Sequence, residues 1–104
     1  MKLALLTLAG ATLLAAGAAQ AQSAEELLKK HACTACHAND KKLVGPAYKD
    51  VANKYRGDAK AAAMLADKVK KGGSGTWGPV PMPPNANVPD ADIKTMVTYV
   101  LGLK

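Results

Sequence analysis

Lys30-His31-Ala32-Cys33-Thr34-Ala35-Cys36-His37 holds both cysteines and both histidines of the 104-residue chain. Two thiols three positions apart lie on one turn, and a histidine follows the second directly. That spacing is the Cys-x-x-Cys-His signature of covalent haem attachment. The two sulfurs can add to the two vinyl groups along one edge of a porphyrin. The next residue is then held beneath the iron, so His37 presents its imidazole as the proximal ligand. Other uses of the pair explain less. A Cys33–Cys36 disulfide suits an exported chain but assigns nothing to His37. A thioredoxin-like redox pair needs a βαβ setting, and no strand pattern surrounds the motif. A zinc site needs further ligands, and there is no second cysteine pair to supply them.

Upstream of the motif, Lys2 precedes an apolar run from Leu3 to Ala16, and Ala19-Gln20-Ala21 has the small-x-small form of a signal-peptidase site. The run is short for a membrane span, which needs about 20 apolar residues. Residues 1–21 therefore read as a cleaved secretory signal, and residues 22–104 as one small domain. Retention of the leader as an anchor is the alternative. The domain has no Phe, one Trp and three Tyr, so its own side chains offer little bulk, and a small domain buries a lower fraction of its surface. A haem in the middle would supply the missing apolar mass. The whole chain carries a formal net charge of +6. In an exported protein this points away from nucleic acid and toward acidic partners or anionic surfaces, or to a solvated lysine surface, since the lysines are scattered.

The mature chain reads as all-α, with about four short helices. Ser23 with Glu26 three residues on forms a capping box for a helix over 24–31, with Leu27 and Leu28 inward. Tyr48, Val51, Ala52 and Tyr55 mark a second helix over 48–54. A third spans 59–71, with Ala61, Leu65, Val69 and Met64 on its inner face. Ile93, Met96, Val97, Val100 and Leu101 give a fourth, over 90–101, its core stripe. Residues 72–89, dense in glycine and proline, are expected to lack regular structure. A loop of that length in so small a domain tends to be functional.

The second axial position on the iron decides between an electron carrier and a site for small ligands. Met1 leaves with the signal, while Met64 and Met96 sit on helical apolar faces. His31 is tied too close to the attachment edge to reach across the ring. Met82 remains, flanked by prolines that restrict φ and stiffen its loop. A neutral thioether favours ferrous iron and raises the reduction potential. The plainer reading of Met82 is packing within the proline loop. With Met82 bound, no coordination site stays open for substrate, which favours electron transfer over enzymatic catalysis. No paired carboxylates or nucleophile–base set suggests other chemistry.

Three segments together resemble the small bacterial class I cytochromes c, the cytochrome c-551 (cytochrome c8) group. They are Cys33-Thr34-Ala35-Cys36-His37, Leu43-Val44-Gly45-Pro46-Ala47-Tyr48-Lys49-Asp50-Val51-Ala52, and Trp77-Gly78-Pro79-Val80-Pro81-Met82-Pro83-Pro84-Asn85. The resemblance covers nearly all of residues 24–104. It implies the cytochrome c fold around one haem c, with thioethers at Cys33 and Cys36 and low-spin iron between His37 and Met82. It further implies that the Pro46 carbonyl accepts the proximal His N–H, that Trp77 donates to a propionate, and that Asn85 bonds near the Met sulfur. Lys68 falls where the group often has an arginine propionate partner, and a lysine lacks the bidentate fork. The segment 86–89 looks about one residue longer than usual, and Pro89 replaces the usual Ser or Thr cap.

The implied function is that of a monomeric periplasmic carrier in a Gram-negative bacterium, with no stable membrane insertion once the signal is removed. It would move single electrons from a quinol-oxidising complex to terminal reductases or oxidases. Haem cd1 nitrite reductase and a peroxidase are examples; in phototrophs the acceptor is a photosynthetic reaction centre. Two other classes stay open: a five-coordinate haem protein that binds a small gas, and a haem-free disulfide module.

Overall fold

The computed structural model describes residues 22–104; the leader expected over residues 1–21 lies outside them. The first helix, α1 (Ala24–Lys30), starts where Ser23 Oγ accepts the Glu26 N–H at 3.2 Å. Glu25 and Glu26 in its first turn and Lys29 and Lys30 in its last complement the helix dipole. Leu27 and Leu28 are its buried residues. The chain leaves α1 through Ala32, which takes a left-handed φ of 59°. A single 3₁₀ turn, Cys33–Ala35, follows.

Helix α2 (Tyr48–Lys54) buries Tyr48, Val51 and Ala52, the spacing expected of a helix with one inward face. Helix α3 (Ala61–Lys71) begins two residues later than its periodicity suggests. Asp58 Oδ1 accepts the Lys60 N–H at 2.9 Å, an Asx turn that holds Ala59 and Lys60 outside the helix. Helix α4 (Asp90–Leu101) buries Ile93, Met96, Val97 and Val100 and packs against each of the other three helices. With Leu27, Leu28, Tyr48, Val51 and Val88 these side chains form one hydrophobic core.

The stretch 72–89 departs from expectation. Gly73–Gly75 (β1) and Gly78–Met82 (β2) form a two-stranded antiparallel hairpin, with Gly73 opposite Met82, Gly75 opposite Gly78, and an irregularity between. Prolines exclude central strands, but each strand of a two-stranded ribbon keeps a free edge. Pro79 and Pro81 are two apart, so both missing N–H groups fall on the same edge of β2. Gly75 and Gly78 take φ of 105° and 112° on either side of Thr76-Trp77, which lets the chain reverse within two residues. Residues 83–89 remain irregular, as read. Among the described residues no helix is long and apolar enough to cross a membrane.

Candidate cofactor site

A cavity of about 610 Å³ opens between the helices, the hairpin and the segment after the cysteine motif. Its size falls within the usual range for cofactor sites, about 300–1,000 Å³. All four helices contribute apolar walls, through Leu28, Val51, Leu65, Val69, Ile93 and Val97. Cys33, Cys36, His37, Pro46, Lys68, Trp77 and Met82 line the same cavity. Seven of the eight residues picked from the sequence are thereby brought together; Asn85 is not on the lining.

His37 is set by backbone first. The Cys33 carbonyl accepts both the Cys36 N–H, at 3.2 Å, and the His37 N–H, at 3.0 Å, which folds the motif into a tight turn. His37 Nδ1 then lies 2.8 Å from the Pro46 carbonyl oxygen. A carbonyl only accepts, so Nδ1 carries a proton here, and in the neutral ring it is Nε2 that has the free lone pair. The Pro46 segment is held by Gly45 N–H donating to the Cys36 carbonyl at 2.7 Å. Gly45 has to be glycine here: a Cβ would sit 2.8 Å from His37 Nδ1 and 2.9 Å from Nε2. Cys33 and Cys36 are unpaired, half-buried thiols, and burial pushes the Cys33 thiol up.

Met82 ends β2 and lines the cavity. The backbone around it packs on the end of α3: a Cβ on Gly72 would meet the Met82 carbonyl oxygen at 2.5 Å and Pro84 N at 2.8 Å. Met64 and Met96 line the cavity too. Met96 is part of the buried core, as expected, and Met64, 43% exposed, faces the cavity from α3 beside Leu65 and Val69. Asn85 is positioned differently from the expected bond near a methionine sulfur. Its Nδ2 donates to the carbonyls of Val69, at 3.0 Å, and Pro83, at 3.2 Å. The first bond ties the Met82 segment to α3, and the second holds that segment's own backbone.

Trp77 sits in the hairpin turn. The Lys54 ammonium lies 5.7 Å from the Trp77 ring centre and 5.7 Å from that of Tyr55, within cation–π range. Lys68 lies against the backbone of Gly73, where a Cβ would come within 2.9 Å of its Nζ. His31, set aside as a ligand, faces Asp92 Oδ2 at 3.1 Å, linking the end of α1 to the first turn of α4. Leu43, Val44, Met64, Trp77 and Val80 are exposed large apolar side chains, and all five line the cavity.

Sequence reasoning missed the surroundings of His37. Tyr48 stacks on its imidazole, with ring centres 5.0 Å apart and planes 18° from parallel. Periodicity marked Tyr48 only as inward-facing. Its place just after Gly45-Pro46 was the available signal.

The residues fit a covalently held haem. Two thiols and an imidazole with a free Nε2 border an apolar chamber, a thioether reaches it from a different element, and glycine leaves room beside the imidazole. The cytochrome c family profile matches residues 15–104. The chain is 62% identical over 77 residues to the cytochrome c-551 of Allochromatium vinosum, covering 74% of this chain and 82% of that protein. It is 52% identical over 98 residues to the cytochrome c-552 of Nitrosomonas europaea, covering 94% and 93%. The crystal structure of the wild-type Nitrosomonas europaea cytochrome c552 superposes with a TM-score of 0.75 at 52% identity, covering 77% of this chain and 99% of that one.

Proposed function

The chain belongs to the cytochrome c family, and on that premise we propose that it carries single electrons on a haem c joined to Cys33 and Cys36 and ligated by His37 and Met82. The observation that carries this reading is the apolar cavity lined by Cys33, Cys36, His37 and Met82 together, with His37 Nδ1 turned away to the Pro46 carbonyl. Haem c supplies, when bound, an iron that alternates between ferric and ferrous states. The protein's part is to bind, orient and insulate that group.

Pro46 fixes the tautomer of His37 and makes the imidazole a stronger donor. Met82 offers a neutral, soft donor that favours the ferrous state. Its segment is stiffened by Pro81, Pro83 and Pro84 and tied to α3 through Asn85, so it can hold position when the iron charge changes. The apolar walls exclude water. Trp77 and Lys68 border the same cavity and are the groups we assign to the haem carboxylates. Val44 and Val80, 57% and 60% exposed at the cavity lining, offer an apolar docking face for redox proteins, and such encounters are small and brief. We place the carrier, as a monomer, in the periplasm after removal of residues 1–21. Its donor is a quinol-oxidising complex, and its acceptor a reductase, peroxidase, oxidase or photosynthetic reaction centre.

The test is an optical spectrum of the mature protein, ferric and dithionite-reduced, with carbon monoxide added to the reduced form. Sharp low-spin bands, a long-wavelength ferric thioether band and no carbon monoxide shift are expected. Met82→Ala should abolish the thioether band and admit carbon monoxide, while Met64→Ala should do neither. High-spin bands in the wild type would replace the carrier assignment with ligand binding.

A further inference from the structure

His37 is held at one point by its hydrogen bond to Pro46. A single bond leaves the imidazole free to rock about the bonded atom, so something else must fix its plane. The Tyr48 ring lies nearly parallel to the imidazole, 18° off and 5.0 Å away. Tyr48 is 6% exposed and cannot easily swing aside. Its N–H donates to the Ala38 carbonyl at 2.8 Å, and the next N–H, of Lys49, donates to Asn39 at 2.9 Å. These bonds lock the start of α2 onto the residues that follow His37.

The far end of the side chain carries a second clue. The Tyr48 hydroxyl is buried, and no group among the described residues pairs with it. A second cavity, of about 200 Å³, is lined by Tyr48 and His37 together with Thr34, Asn39, Glu25 and Tyr99. Polar side chains border it and it is roomy enough for water, and buried hydroxyls nearly always find a partner.

We propose that Tyr48 is a positioning residue for His37: its ring fixes the plane of the imidazole, and its hydroxyl is anchored by water held in the small second cavity. The proposal rests on His37 being the iron ligand. The plane of an axial imidazole governs how unpaired spin spreads over the four ring methyls of a ferric haem, so the arrangement has a spectroscopic signature that stability alone does not move.

The experiment compares the mature holoprotein with Tyr48→Phe, which keeps the ring, and Tyr48→Met, which removes it. The readouts are the ferric haem-methyl proton shifts, the midpoint potential and the optical spectrum. Tyr48→Phe should keep the wild-type order and spread of methyl shifts and lose only some thermal stability. Tyr48→Met should stay low-spin but change that order or spread, and its potential should move. Should Tyr48→Met not fold, nuclear Overhauser contacts between the Tyr48 and His37 rings in the reduced wild type decide: their presence supports the stack, and their absence overturns it. Unchanged methyl shifts in a folded, low-spin Tyr48→Met overturn this proposal alone. A high-spin wild-type spectrum overturns it together with the ligand assignment.

Discussion

Two single residues sit at opposite ends of backbone tolerance. Gly45 is needed because His37 occupies the space a side chain would fill. Gly45→Ala should push the imidazole off the Pro46 carbonyl. We expect a loss of about 1–3 kcal/mol, typical of overpacking, with a weakened low-spin spectrum, read by thermal melts followed in the visible. Ala32 shows the reverse. Its φ of 59° costs an L-residue about 1–2 kcal/mol, part of which a glycine would return as unfolded-chain entropy. Ala32→Gly should therefore raise stability by roughly 0.5–1 kcal/mol, seen as a higher urea midpoint without change in the visible spectrum.

The segment that presents Met82 depends on what the neighbouring helices lend it. Asn85 bonds it to the end of α3, and Lys70 closes the other side by donating to the Val88 carbonyl at 2.7 Å and pairing with Asp90 at 3.0 Å. Asp90 is largely exposed, so the ion pair contributes little; the bond to Val88 matters more. Lys70→Met keeps the stem and loses both contacts. It should cost about 1 kcal/mol in chemical denaturation, and it should loosen the Met82 segment, so that the thioether band is lost at a lower temperature than in the wild type.

At the scale of the whole molecule, an apolar chamber lies between the four helices and the hairpin, bordered by the core residues Leu28, Tyr48, Val51, Ile93, Met96, Val97 and Val100. With nothing bound, these apolar walls would face water, and a small domain has a net stability of only about 5–15 kcal/mol to set against that loss. The haem-free chain, made as Cys33→Ala/Cys36→Ala, should accordingly lack a cooperative thermal transition and lose most of its helical circular dichroism. A native-like far-ultraviolet spectrum for that variant would show that the protein core suffices.

What the linear chain determined is local. The cysteine–histidine spacing announces the cofactor within five residues, Ser23 starts α1, and α4 declares its buried stripe by periodicity, because each depends only on neighbours along the backbone. The hairpin at 73–82 was not legible, since glycine and proline argue against strands and only the free edges of a two-stranded ribbon make them acceptable. The placement of Asn85 and of Tyr48 was equally hidden. Asn85 chooses between a sulfur and the carbonyls at the end of α3 according to how near that helix comes, and Tyr48 meets His37 only because α2 folds back over the motif. Contacts between residues distant along the chain follow from how helices pack, and packing is settled by the tertiary structure, where shape and volume must be satisfied everywhere at once.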